Sequence, residues 1–332
     1  ALLKEVLLNS KVDNKKRLKE IISELRTKMD TRIPALGHVY AANRALSYVD
    51  PMMKYKDTAE GIGFYEFIKK LDKNFDSNAE LLVKQLVRAQ MCIFRKENLT
   101  LSLTGEFNFK SLLEGEMLQF NRMLYEMPCV KAVPTFNMEK KNEGFKTASK
   151  VQYVASGGCF EKEGQEYTGA LKVLKTIFSY DYLWVNVRVT GGAYGCMCSF
   201  SRNGYGFFTS YRDPNLSATL DVYKKAAEYV RNFEAGQRDM TKYIIGTISG
   251  IDQPLEPAAL GDRSFHAYQS GVTVEMIQKE RNQVLDATEE TIRSLAGYIE
   301  TMMDAGTVCA IGNDRKLEEE KELFKQVSSL TQ

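Results

Sequence analysis

Apolar positions recur at helical spacing through the first ninety or so residues. Leu18, Ile21, Ile22, Leu25 and Met29 predict a helix over 13–30 with Asp13 as its N-cap, and two more helices follow over 59–72 and 76–94. The period then changes. Leu99, Leu101 and Leu103 alternate with Thr100, Ser102 and Thr104, which predicts a strand with one buried face, ended by Gly105. A helix is expected over 107–125. From Pro128 to Gly144 the pattern breaks into two prolines and a charged run, the mark of a linker.

Past the linker, 145–155 reads as a strand, with Gly157-Gly158 as a turn or bulge, and 169–179 as a helix built on Leu171, Val173, Leu174 and Ile177. Two β segments, 193–202 and 205–212, flank Asn203-Gly204, a strong hairpin signal. Helices are expected over 216–232, 237–250, 273–284 and 288–303, with Asp286 and Glu289 forming a capping box near the start of the last. A short buried strand over 307–311 is closed by Gly312-Asn313, and a charged helix over 314–327 finishes the pattern.

Helix, short strand and helix around Gly105 recur around Gly312, which signals an internal repeat. Measured back from Gly105, the span of the second copy runs past residue 1. The expected architecture is therefore α/β (α+β): one complete domain over 145–332, preceded by the back half of another over 1–128, with 129–144 between them. Each repeat is expected to be a sheet covered by helices. The chain would be a fragment of something longer.

Composition narrows the function classes. Of 332 residues, 44% are apolar and 27% charged, enough to bury a sizeable core. A net charge of +2 gives no field that points to nucleic acid or an anionic membrane. No apolar run approaches the ~18 residues of a membrane span. Six scattered cysteines read as buried free thiols of a reducing compartment. Cys196 and Cys198 sit on one face of a strand, and no second pair completes a zinc site.

The chemistry concentrates at 184–195. Arg188 precedes Gly191-Gly192, and Tyr194 lies between Ala193 and Gly195. Paired glycines let backbone approach a ligand or take positive φ, while arginine and tyrosine offer a cation and a phenol. A dinucleotide loop needs G-x-G-x-x-G ahead of a helix, but a hairpin follows here, and G-x-x-x-x-G-K-[ST] is absent. His38 and His266 are the two histidines, and neither lies in H-E-x-x-H or its inverse. No metal ligand set is expected. Spacing alone leaves two readings of Arg188 and Tyr194: groups satisfying nearby backbone carbonyls, or a clamp on a peptide carbonyl and its tetrahedral oxyanion.

The run Arg188–Gly195, R-V-T-G-G-A-Y-G, with residues 210–215, 167–171 and 278–281 in support, resembles the C-terminal half of presequence-protease-like members of the pitrilysin/insulinase family of inverted-motif zinc peptidases. The resemblance implies a clamshell of two halves, each made of two related α/β domains. Zinc, H-x-x-E-H and the general-base glutamate would belong to an N-terminal half absent here. Arg188 and Tyr194 would reach across to the substrate and the catalytic centre, with Gly191, Gly192 and Ala193 against the peptide. This chain alone would be inactive. Its partners would be an unstructured peptide and the N-terminal catalytic half, in bacterial cytoplasm or, in a eukaryote, the mitochondrial matrix or plastid. The alternative is a non-catalytic structural subunit of the same fold. A nucleotide-binding protein is a third, distant option.

Overall fold

The computed structural model describes residues 2–106, 114–126, 132–161 and 165–330. Cys129, the start of the expected linker and the first part of the expected 107–125 helix lie outside them; its later part is helical over Glu116–Met123. The chain divides into two compact units, each gathered from separate stretches.

One unit comprises Ala1–Thr27, Glu66–Val133 and Pro254–Thr273. Its described residues are helical apart from connecting loops and one isolated bridge between Arg95 and Tyr125. Apolar Ile22, Ile68, Phe75 and Ala79 are buried, while Lys19–Asp76 and Arg26–Asp72 ion pairs line the rim. The helix expected from 13 begins at Lys15, and Asn14 rather than Asp13 caps it, its Oδ1 accepting the Arg17 amide at 3.0 Å. The alternating run 99–104 forms no strand. Its leucines are 37–41% exposed, and no described strand pairs with it. Alternation prepares a strand, but a ladder partner is what makes one. Helix Pro257–Gln269, which the pattern did not predict, has no buried residue.

The other unit, Lys28–Tyr65, Pro134–Gln253 and Val274–Gln332, carries a six-stranded sheet. The strands are β1 Glu143–Thr147, β2 Tyr153–Cys159, β3 Gly195–Phe200, β4 Tyr205–Tyr211, β5 Cys309–Asn313 and β6 Gln326–Ser329, in the order β3-β4-β2-β5-β1-β6. Three of the five pairings are antiparallel; β1 runs parallel to both β5 and β6. Helices cover both faces. Val154, Phe208 and Ala310 turn into a core with the Ala170–Tyr180, Ser217–Arg231 and Ala296–Asp304 helices. Their neighbours Tyr153, Ala155 and Ile311 turn to the opposite core with Ala41, Ala42 and Ala45 of the Gly37–Leu46 helix. This is the period-two alternation of a sheet buried on both sides.

Several expectations change here. The single strand at 145–155 is two, β1 and β2, separated by a bend. Gly157-Gly158 lies inside β2 as a point of close approach: a Cβ on Gly157 would stand 2.3 Å from the Gly206 carbonyl oxygen. The helix at 288 is capped by Thr288, whose Oγ1 accepts the Thr291 amide, not by Asp286. The charged 314–327 helix stops at Glu319, and its end becomes the edge strand β6, whose exposed polar residues hide the strand pattern.

A buried ion cluster ties the Gly37–Leu46 helix to the sheet. The Arg44 guanidinium donates to both Glu143 oxygens, at 2.7 and 3.0 Å, and to Asp57 at 2.6 Å. The Tyr48 hydroxyl donates to Glu143 as well. Burial alone would lower the Arg44 pKa, but the Glu143 hydrogen bonds and the Asp57 charge outweigh it and raise it. Removing one member of such a cluster strands the others without water. Arg44→Met should therefore cost about 3–5 kcal/mol in urea unfolding. A cost below about 1 kcal/mol would show that the cluster does not hold this helix.

Candidate functional site

The segment after helix Ala170–Tyr180 winds as a π-helical turn, Trp184–Thr190. Leu183 and Val187, four residues apart, anchor it in the core, while Trp184, Val185 and Val189 stay exposed. Single π turns occur often at functional sites. The wide turn closes when the Gly191 amide donates to the Asn186 carbonyl at 3.0 Å, Gly192 to Arg188 at 2.9 Å and Ala193 to Val187 at 3.1 Å.

Both glycines are required, for different reasons. A Cβ on Gly191 would stand 2.6 Å from the Val187 oxygen and 3.0 Å from that of Asn186. Gly192 has φ +80°, the left-handed conformation, with only the Pro214 ring nearby at 3.5 Å. Asn215 pins the bend from behind, its Nδ2 donating to the Gly191 carbonyl at 2.5 Å. Ala193 is buried, so the chain turns sharply to bring Tyr194 out.

The i,i+4 spacing lays the Arg188 guanidinium over the Trp184 ring, 3.8 Å from its centroid. The Tyr194 ring is 5.9 Å away on another side and is 68% exposed. Neither the Arg188 guanidinium nor the Tyr194 hydroxyl makes a hydrogen bond or an ion pair among the described residues. The reading in which they satisfy nearby carbonyls is therefore not what the structure contains. The Tyr194 amide, in contrast, is fixed: it donates to the carbonyls of Tyr211 at 3.1 Å and Arg212 at 3.3 Å.

Residues 142–314 match the family described as PreP C-terminal domain, and residues 1–71 match a second family, described as peptidase-associated. The chain belongs to the PreP C-terminal domain family. It is 36% identical to Protein HypA of Clostridium perfringens, over 99% of this chain and 34% of that protein. It is 29% identical to Presequence protease 1, chloroplastic/mitochondrial, of Arabidopsis thaliana, over 90% of this chain and 28% of that protein. The chain thus spans about a third of the length of these relatives. Pitrilysin, among solved structures, aligns at a TM-score of 0.48 with 12% identity, covering 71% of this chain and 27% of its own.

The other stretches that carried the resemblance have structural work. Glu280 is buried and accepts from Arg202 at 2.5 and 2.8 Å and pairs with Lys172; burial would raise its pKa, but these partners outweigh it and lower it. Arg281 pairs with Asp252. Cys196 and Cys198 share one face of β3, where burial pushes their thiols up to about 11 and about 12, so neither is a thiolate nucleophile near neutral pH.

His38 lies in the Gly37–Leu46 helix against the Tyr211 ring, and burial lowers its pKa. His266 lies in the Pro257–Gln269 helix. Among the described residues no three His, Cys, Asp or Glu side chains are arranged to hold a metal ion, so a zinc ion does not fit the residues present. No helix there is long and apolar enough to cross a membrane.

Sequence reasoning missed the supports. Trp184 was legible as the i,i+4 partner of Arg188, but Asn215, Tyr211 and Arg212 join the site only through the hairpin's fold. The different reasons for the two glycines give an order of effects. Gly191→Ala should cost up to about 3 kcal/mol by overpacking the π turn. Gly192→Ala should cost about 1 kcal/mol of backbone strain. Chemical unfolding with the larger loss at 192 would contradict the geometry.

Proposed function

We propose that this chain is the substrate-facing, non-zinc-bearing half of a zinc metalloendopeptidase that degrades unstructured peptides. The zinc ion and the general base belong to an N-terminal half with which this chain works. Arg188 donates to a peptide carbonyl and to the oxyanion that forms from it. Tyr194 adds a phenol donor, and the backbone of Gly191, Gly192 and Ala193 lies against the peptide. In this reading 1–128 is the C-terminal part of a third peptidase-like repeat and 145–332 a fourth. The chain alone neither holds zinc nor cleaves. Its setting is the bacterial cytoplasm or, in a eukaryote, the mitochondrial matrix or plastid.

One observation carries the reading. Arg188 is held on Trp184 and beside Tyr194 with no carboxylate to neutralise it among the described residues. An arginine that is positioned yet unquenched keeps its five donors for a ligand. A hydrogen bond from a charged donor contributes about 1.5–3 kcal/mol, and loss of one oxyanion donor lowers turnover on the order of 10²–10³. The family membership and the presequence protease relatives support the same assignment.

In the full-length protein, Arg188→Ala should lower peptide turnover on the order of 10²–10³, and Tyr194→Phe about tenfold, with thermal stability retained. Turnover within twofold of the parent for Arg188→Ala rejects the role and favours the alternative, a non-catalytic structural subunit.

A further inference from the structure

Among the described residues, two non-glycine residues have left-handed backbone: Asn142 at φ +44° and Arg212 at φ +50°. Asparagine visits this region routinely, and Asn142 uses its short side chain locally, donating to the Gly306 carbonyl and accepting the Val308 amide. Arginine has no such local device. The Arg212 conformation is imposed by the ladder: the Tyr194 amide reaches both the Tyr211 and Arg212 carbonyls, while Gln152 and Asp213 exchange two bonds of 2.8 Å on the other side. Glycine would meet this bulge-like geometry without strain. The position keeps an arginine instead.

Its side chain has no carboxylate partner among the described residues. The adjacent Asp213 does not supply one. It is fully buried and engaged by the Thr219 hydroxyl at 2.7 Å and the Asn215 amide at 2.8 Å. The neighbours of the guanidinium are phenols: the Tyr153 hydroxyl is within its reach, and the Tyr211 ring centroid lies 5.4 Å away. Tyr211 and Tyr194 meet edge-on at 5.8 Å, and Arg188 stands 5.9 Å from Tyr194. Two guanidiniums without a carboxylate thus bracket a pair of tyrosines.

We propose that Arg212 is a specificity-determining residue that binds a carboxylate of the peptide, either its C-terminus or an Asp or Glu side chain. The planar guanidinium fork suits a carboxylate in two parallel hydrogen bonds. An extended peptide rises about 3.3 Å per residue, so this carboxylate lies within roughly five residues of the carbonyl at Arg188. The inference rests on the peptide reading of Arg188 and Tyr194.

The test compares Arg212→Gly, Arg212→Gln and Arg188→Ala in the full-length protein on four forms of one peptide: acidic residues present or replaced by their amides, and C-terminus free or amidated. Arg212→Gly should retain or raise the melting temperature, because it removes strain. It should raise KM about tenfold for carboxylate-bearing peptide, with kcat within twofold, and leave the fully neutral peptide unchanged. Arg212→Gln should reproduce the KM effect at the parent backbone. Loss of the effect on amidation assigns the C-terminus, and loss on side-chain replacement assigns the acidic residue. KM within twofold for every peptide, or an equal rise for the neutral one, overturns the proposal. Arg188→Ala separates the two levels. If it lowers turnover of all four peptides while Arg212→Gly does nothing, this inference fails alone; if it has no effect, the underlying reading fails.

Discussion

A single amide, that of Tyr194, holds the candidate site together. It donates to two carbonyls at once, those of Tyr211 and Arg212, and so docks the glycine bend onto the start of the β3–β4 ladder. Everything nearby follows from that docking. The π turn must close early enough to deliver Tyr194, which requires glycine at 191 for space and at 192 for a positive φ. Arg188 is then carried to the outer face of the turn, over Trp184. On the other strand, the shared bond forces Arg212 into left-handed backbone. One bifurcated contact therefore sets the positions of two cations and two phenols.

Three arginines of this unit show how surroundings divide one residue type into separate tasks. Arg44 is buried, and two carboxylates and its hydrogen bonds keep it charged and in place; it ties a helix to a sheet. Arg188 and Arg212 lie against aromatic faces instead, which support a guanidinium without neutralising it. A carboxylate partner would occupy the donors that a peptide carbonyl or carboxylate needs. The aromatic platform gives position and leaves the charge uncompensated. That contrast, more than any exposed charge taken alone, distinguishes the proposed peptide contacts from structural ion pairs such as Arg202–Glu280.

Much of the fold was legible because local pattern and final environment agree. The helices over 62–73, 75–93, 170–180 and 217–231 have apolar stripes that meet a core, and Asn203-Gly204 joins β3 and β4 where the hairpin signal put it. The misreadings share a cause: a property decided by a distant partner. Residues 99–104 alternate like a strand, but no strand among the described residues lies beside them to pair with. Residues 326–329 are polar and exposed, yet pair with β1 and become the sheet's edge. At the site, Arg188, the glycine pair and Tyr194 stand together in one short run, and the motif exposed them. Asn215, Tyr211 and Arg212 arrive from the other strand. The strain at Arg212 is invisible in a string of letters, because φ is set by the ladder and not by the residue.

The most direct measurement is a crystal structure of the full-length protein, trapped in an inactive form, with an uncleaved peptide bound. The account predicts the Arg188 guanidinium within about 3 Å of a peptide carbonyl oxygen, with the Tyr194 hydroxyl beside it. A peptide that runs elsewhere in the protein, leaving both groups in solvent and no peptide atom within hydrogen-bond reach of either, would contradict it.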